Sequence, residues 1–118
     1  MVDDHEGAYV PWLLRDDEVL ATIEVADSLL ERSRGLIGRD HLDGALLLRP
    51  ALAVHTIGVR FPIDVAYCDR ELVVLKAVRM PRNRLSRPVL RARAVIEAPA
   101  GAFARWELAE GDELEIRS

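Results

Sequence analysis

The stretch Ile63-Asp64-Val65-Ala66-Tyr67-Cys68-Asp69-Arg70-Glu71-Leu72-Val73-Val74-Leu75-Lys76-Ala77-Val78 decides the fold class. Two runs rich in Val, Leu and Tyr, Ile63–Cys68 and Leu72–Val78, flank the polar Asp69-Arg70-Glu71. Runs of this length and composition, bounded by turn residues, read as strands. The pair reads as a tight hairpin, without the glycine that a two-residue loop prefers. Upstream, Leu52–Thr56 alternates Leu52, Val54 and Thr56 against Ala53 and His55, and Ala45–Leu48 is a short apolar run ended by Pro50. Earlier still, Glu18–Ala26 alternates with period two, with Val19, Ala21, Ile23 and Val25 on one face. Tyr9–Leu14 precedes it across Arg15-Asp16-Asp17, and Pro11 predicts that this first strand lies at a sheet edge. Downstream, Val89–Ala98 alternates: Leu90, Ala92, Ala94, Ile96 and Ala98 face in, and Arg91, Arg93, Val95 and Glu97 face out. A helical turn fits Ala102–Leu108, and Gly111-Asp112 turns the chain into a last strand, Glu113–Ile116.

One helix is expected in the N-terminal half. Ser28-Leu29-Leu30-Glu31 has capping-box spacing, and Leu29, Leu30, Leu36 and Ile37 share a helical face. Gly38 is a plausible stop, which gives a helix of about ten residues held by burial of its Leu face. The fold class is therefore α+β and mostly β: a compact antiparallel sheet, curled towards a barrel, with one short helix in the N-terminal half. Residues 1–8 are polar and expected to fray, which leaves 9–118 as a single globular domain.

The chain has 118 residues, 50% hydrophobic and 31% charged. That is one domain's worth of sequence, and it excludes a disordered tail, a fibre or a disulfide scaffold. The acidic start (Asp3, Asp4, Glu6) predicts no signal peptide, and no apolar run approaches the ~20 residues of a membrane helix. A cytoplasmic location is expected, with no membrane contact. The single Cys68 sits in an apolar strand run without an activating neighbour and reads as a packed thiol.

The formal net charge of −4 is unevenly spread. Residues 1–31 carry nine acids and one Arg, while 72–96 carry Lys76 and six Arg with no acid. The basic block Arg79, Arg82, Arg84, Arg87, Arg91 and Arg93 could dock an anion or acidic partner. Its loop lacks aromatic residues for stacking on bases, so nucleic acid is not expected. The acidic ends of the chain are the nearest expected partners for these arginines.

Three further stretches carry a resemblance. They are Arg34-Gly35-Leu36-Ile37-Gly38-Arg39, then Val54-His55-Thr56-Ile57-Gly58-Val59-Arg60-Phe61-Pro62-Ile63-Asp64, then Val95-Ile96-Glu97-Ala98-Pro99-Ala100-Gly101, with Gly111-Asp112 near the end. In order and spacing the chain, over about residues 18–117, resembles the domain of unknown function family 192. Ile37 and Val59 stand where methionine is common in that family, a near-isosteric change, and the 69–71 turn lacks the family's usual glycine. The resemblance implies a small, mostly β domain and no established activity.

The best local constellation of polar groups is His55, Thr56, Arg60 and Asp64. A His, an Arg and a carboxylate converging at one strand end could bind an anion, or serve as base, stabiliser and orienter in a hydrolytic site. The plainer reading gives Asp64 backbone N–H groups to accept and makes His55 a satisfied sheet histidine. Glu97, among Ile96, Ala98 and Pro99, has the most apolar neighbours of any carboxylate here. Such a group is either paired or holds its proton unusually tightly, and an ion pair with an Arg of a neighbouring strand is expected. His5, His41 and His55 fall in unrelated segments, so no metal site is expected, and no cofactor motif is present.

The sequence points first to a small non-catalytic binding or accessory domain. Its candidate polar site comprises His55, Thr56, Arg60, Asp64 and Glu97, with Arg82 and Arg84 on the proline loop. The partner would be a small molecule or a protein. The alternative is a hydrolase of a small polar or sugar-like substrate, with Asp64 or Glu97 as acid/base. A monomer or a weak homodimer, joined through the edge strand near Pro11, is expected in either case.

Overall fold

In the computed structural model, which describes residues 10–118, seven strands form one mixed sheet with two short helices. In chain order the elements are β1 (Trp12–Arg15), β2 (Glu18–Ala26), α1 (Leu29–Arg34), β3 (Ala45–Leu48), β4 (Ile63–Cys68), β5 (Val74–Met80), β6 (Ala94–Pro99), α2 (Ala102–Trp106) and β7 (Leu114–Arg117). The strand order is β5-β4-β6-β3-β2-β1-β7. The mostly β class with a short helix in the first half is as the sequence predicts. All pairings are antiparallel except β2 with β3, which run parallel because α1 and the loop after it carry the chain back over the sheet. The expected frayed segment 1–8 lies outside the described residues.

The deciding hairpin is present as β4–β5. Its turn needs no glycine, because the Asp69 carboxylate accepts the N–H groups of Glu71 and Val73, both at 2.9 Å. Leu72 takes the positive φ of 65° that glycine would otherwise supply. In the β1–β2 hairpin, Asp16 and Asp17 both adopt positive φ, which matches the twist of the flanking strands. β1 is not an edge strand: it lies between β2 and β7, and Pro11 sits just before it. The edges are β5 and β7, so the expected dimer through a β1 edge has no free edge there.

The three central strands β4, β6 and β3 are buried on both faces. On one face Ala45, Leu47, Ala66, Cys68, Ala94, Ile96 and Ala98 pack with Leu13, Ile23, Phe103 and Leu114. On the other, Leu46, Leu48, Ile63, Val65, Tyr67 and Val95 pack with Leu36, Leu42, Val59 and Ala92 from the long connections. This second layer corrects the expectation that Val95 and Glu97 face out. Loops 35–44, 49–62 and 81–93 cover that face, so both residues are buried. The sheet curls around its first core. Residues 72–74 and 111–114 meet through a bridge of Val73 with Glu113 and the bond from Leu114 N–H to the Leu72 carbonyl (3.1 Å). The contact is one corner and not a ladder, so the barrel is not closed.

Several predicted elements are shorter than expected. α1 has six residues, with Ser28 as N-cap in a complete capping box and Gly35, not Gly38, at its C-terminal end. Its Leu29 and Leu30 are 74% and 73% exposed, so caps and not an apolar face hold it, and Leu36 just beyond is the buried anchor. Leu52–Thr56 is an irregular segment, tied to 84–89 by hydrogen bonds to backbone groups and one bridge, His55 with Leu85. β6 begins only at Ala94.

Candidate functional site

Over the second face of the sheet lies a cavity of about 380 Å³. Its walls come from α1 and the turn after it, from residues 50–59, and from the central strands. Leu36, Leu48, Val54 and Val59 supply apolar surface, and Arg32, Ser33, Arg34 and His55 supply polar groups. The floor includes Glu97. On β6, Glu97 pairs in register with Leu46 of β3 and Val65 of β4, so its side chain projects between two strands onto the loop-covered face. It is 4% exposed.

Among the described residues no hydrogen bond or ion pair reaches the Glu97 carboxyl. This overturns the expected ion pair with a strand arginine. The compensating charge that acts on it is Arg39, whose guanidinium is already bidentate on Glu24 at 2.9 and 3.1 Å. Burial pushes the Glu97 carboxyl up to about 7, and Arg39 only partly offsets this. The Tyr67 phenol is likewise raised by burial, against a lowering hydrogen bond with Ser86.

The other predicted residues do not converge here. Asp64 neighbours Val65 in β4 and therefore points to the opposite face, across the sheet from Glu97. It is buried and fully engaged. Oδ2 accepts the N–H groups of Gly101 (3.0 Å) and Phe103 (3.1 Å) at the start of α2, and Oδ1 accepts from Arg79 Nε at 3.1 Å. Arg60 is exposed and pairs with Asp40. Thr56 is buried and structural: its hydroxyl donates to the Pro81 carbonyl (2.7 Å) and accepts the Arg84 N–H (2.8 Å), pinning the proline loop. Arg82 and Arg84 project into solvent from that loop. The trio His55, Arg60 and Asp64 therefore forms no common site, whereas His55 and Glu97 share one cavity.

The basic block also behaves differently from expectation. Among the described residues, Arg79 with Asp64 is its one ion pair, and no pair joins the block to either acidic end. Of the C-terminal acids, Asp112 pairs with Arg15 and Glu115 with Arg117 instead. Cys68 is buried and its thiol is pushed up to about 12 by burial, as an inert packed group requires. Among the described residues no group of three or more His, Cys, Asp and Glu could hold a metal ion. No helix among them is long and apolar enough to cross a membrane.

Sequence reading missed Arg32, Ser33 and Arg34 as cavity residues. The signal lay in the Arg34-Gly35-Leu36 stretch, which reads as a helix ending and also wraps the cavity mouth.

Two solved structures share this fold. A protein of unknown function from Novosphingobium aromaticivorans superposes with a TM-score of 0.73 at 17% identity, covering 90% of this chain and 83% of that one. A protein from Sinorhizobium meliloti, provisionally described as a transcription regulator, gives 0.74 at 19% identity, covering 90% and 91%. No curated protein matches the sequence at a significant level. The family model of DUF192, described as an uncharacterized ACR, matches residues 13–116. Nearly the whole described sheet falls within that match, and the chain belongs to the DUF192 family.

Proposed function

We propose that this domain is a non-catalytic binding module whose ligand is a small molecule held in the cavity over Glu97. The observation that carries the reading is a buried carboxylate with no partner among the described residues, facing a cavity of about 380 Å³. Burying an uncompensated carboxylate costs several kcal/mol in effect, a cost usually relieved by a partner or a proton. A bound ligand supplies a partner at the position where the described residues supply none. The volume sits at the lower end of the ~300–1,000 Å³ range of small-molecule sites.

A thermal-shift screen of small polar metabolites tests the reading, with Glu97→Gln and Ala53→Trp as controls. Ala53 is exposed and lines the cavity, so the indole obstructs the cavity without entering the core. The expected result is a compound that raises the melting temperature of the wild type and of neither variant. A screen in which no compound stabilises the wild type, or in which the stabilisers act equally on Ala53→Trp, overturns it.

A second reading rests on Glu97 holding its proton up to about pH 7 beside His55, the property of a general acid. It keeps the hydrolase alternative with Glu97 alone as acid/base, since Asp64 is consumed by α2. Hydrolysis of a bound compound, abolished by Glu97→Gln, would favour it over the non-catalytic reading.

A further inference from the structure

We propose that the cavity takes an amphoteric small molecule, with an ammonium group on the Glu97 carboxylate and an anionic group at the Arg32–Arg34–His55 mouth. The inference rests on the binding reading above and adds the chemistry of the ligand. The floor offers one buried carboxylate, and the guanidinium whose charge acts on it, Arg39, is occupied by Glu24 through two bonds. An ammonium ion there gains a charge-assisted hydrogen bond in a water-poor setting and removes the cost of burying the acid alone. The mouth has the opposite character. Arg32 Nη1 donates to the Asp27 carbonyl at 2.9 Å, which orients the guanidinium without neutralising it. Among the described residues no acid pairs with Arg32 or Arg34. Two guanidiniums beside an imidazole suit a carboxylate or phosphorus oxyanion.

Between floor and mouth stand Leu36, Leu48, Val54 and Val59, which favour a methylene spacer. An anion without an amine would be repelled by ionised Glu97. An amine without an anion would leave the two arginines unanswered. Both ends are therefore recognised only when one molecule carries both charges.

The experiment is calorimetric titration of the full chain at mildly alkaline pH with β-alanine, γ-aminobutyrate and ε-aminocaproate. Caproate and n-hexylamine serve as matched probes lacking one charge, and an ω-aminoalkyl phosphonate distinguishes the preferred anion. We expect at least one ω-amino acid or its phosphonate to bind about tenfold or more tighter than both single-charge probes, the range of one charge-assisted bond. In Glu97→Gln the advantage over caproate should vanish. In the Arg32→Gln, Arg34→Gln double variant the advantage over n-hexylamine should vanish, with melting curves confirming that both variants fold. Equal binding of amphoteric and single-charge probes, or an advantage unchanged in Glu97→Gln, overturns the inference. If that happens while a neutral compound still binds wild type and not Ala53→Trp, the ligand class is wrong and the binding reading stands. If no probe and no screened compound binds, both fall.

Discussion

Two carboxylates one register step apart across the β4–β6 ladder meet opposite fates. Asp64 receives two backbone N–H groups and a guanidinium, so its charge is met on every side. Glu97 receives none among the described residues, and its surroundings are Arg39 and Tyr67 within the fold and Arg32, Arg34 and His55 around the cavity. Replacing Asp64 by Asn puts an NH₂ group where a carboxylate oxygen accepted bonds. Asp64→Asn should destabilise the fold by about 2–4 kcal/mol in denaturant melts, yet leave cavity binding intact. Glu97→Gln should do the reverse. Between about pH 4.5 and 7 the folded protein keeps a proton that the unfolded chain has released. Wild-type stability therefore falls as pH rises through that window, and the variant lacks this loss. The variant should gain up to about 3 kcal/mol over wild type above neutral pH and nothing near pH 4. Melting curves across that range check the sign. The sequence marked both residues, Asp64 for its place with His55 and Arg60 near one strand end and Glu97 for its apolar neighbours. It could not say which had partners, since those partners come from segments up to 39 residues away.

At the scale of elements, the strands were legible and the coverings were not. Apolar runs such as Ala45–Leu48 and Ile63–Cys68 appear as strands, fully buried on both faces. Period-two alternation misled in Val89–Ala98, because it assumes one wet face, and loops cover the face that holds Val95 and Glu97. The helix was mispredicted for a related reason. Its capping box was visible in Ser28 and Glu31, but exposed Leu29 and Leu30 resemble a core face until the sheet is placed. The parallel entry into β3 depends on a turn at Gly44, where φ is 77°. A Cβ there would collide with the hydroxyl and carbonyl oxygens of Thr22 on β2. Gly44→Ala should therefore cost more than the ~1 kcal/mol of an ordinary positive-φ glycine, about 2–4 kcal/mol in thermal melts, because backbone must move as well. A loss below about 1 kcal/mol would mean that the β2–β3 pairing tolerates a shift.

On the scale of the whole molecule, the sheet curls until its edges nearly meet, and Arg15 ties that curl. Its guanidinium binds Asp112 at 2.9 Å, the Trp106 carbonyl at 2.6 Å and the Glu107 carbonyl at 3.2 Å, joining β1 to α2 and to the turn before β7. The group is mostly buried, so its removal leaves Asp112 with only the Ala109 N–H and takes the donor from two carbonyls. Arg15→Ala should lower stability by about 2–3 kcal/mol and raise hydrogen exchange in β7 before the central strands. Charge along the sequence had suggested a different closure, with the 79–93 arginines folding onto the acidic ends. One arginine on β1 holds the C-terminal acid Asp112, while the basic block faces solvent. Net charge by segment says nothing about which neighbours a curled sheet creates. Function in this molecule turns on one group: a buried carboxyl with no partner among the described residues, at the floor of a cavity. A carbon-detected NMR titration of the Glu97 side chain in the ligand-free protein reads it directly. A midpoint near 7 is the predicted result. A midpoint at the ordinary glutamate value of about 4.3 would mean a paired or hydrated carboxylate and would contradict the account.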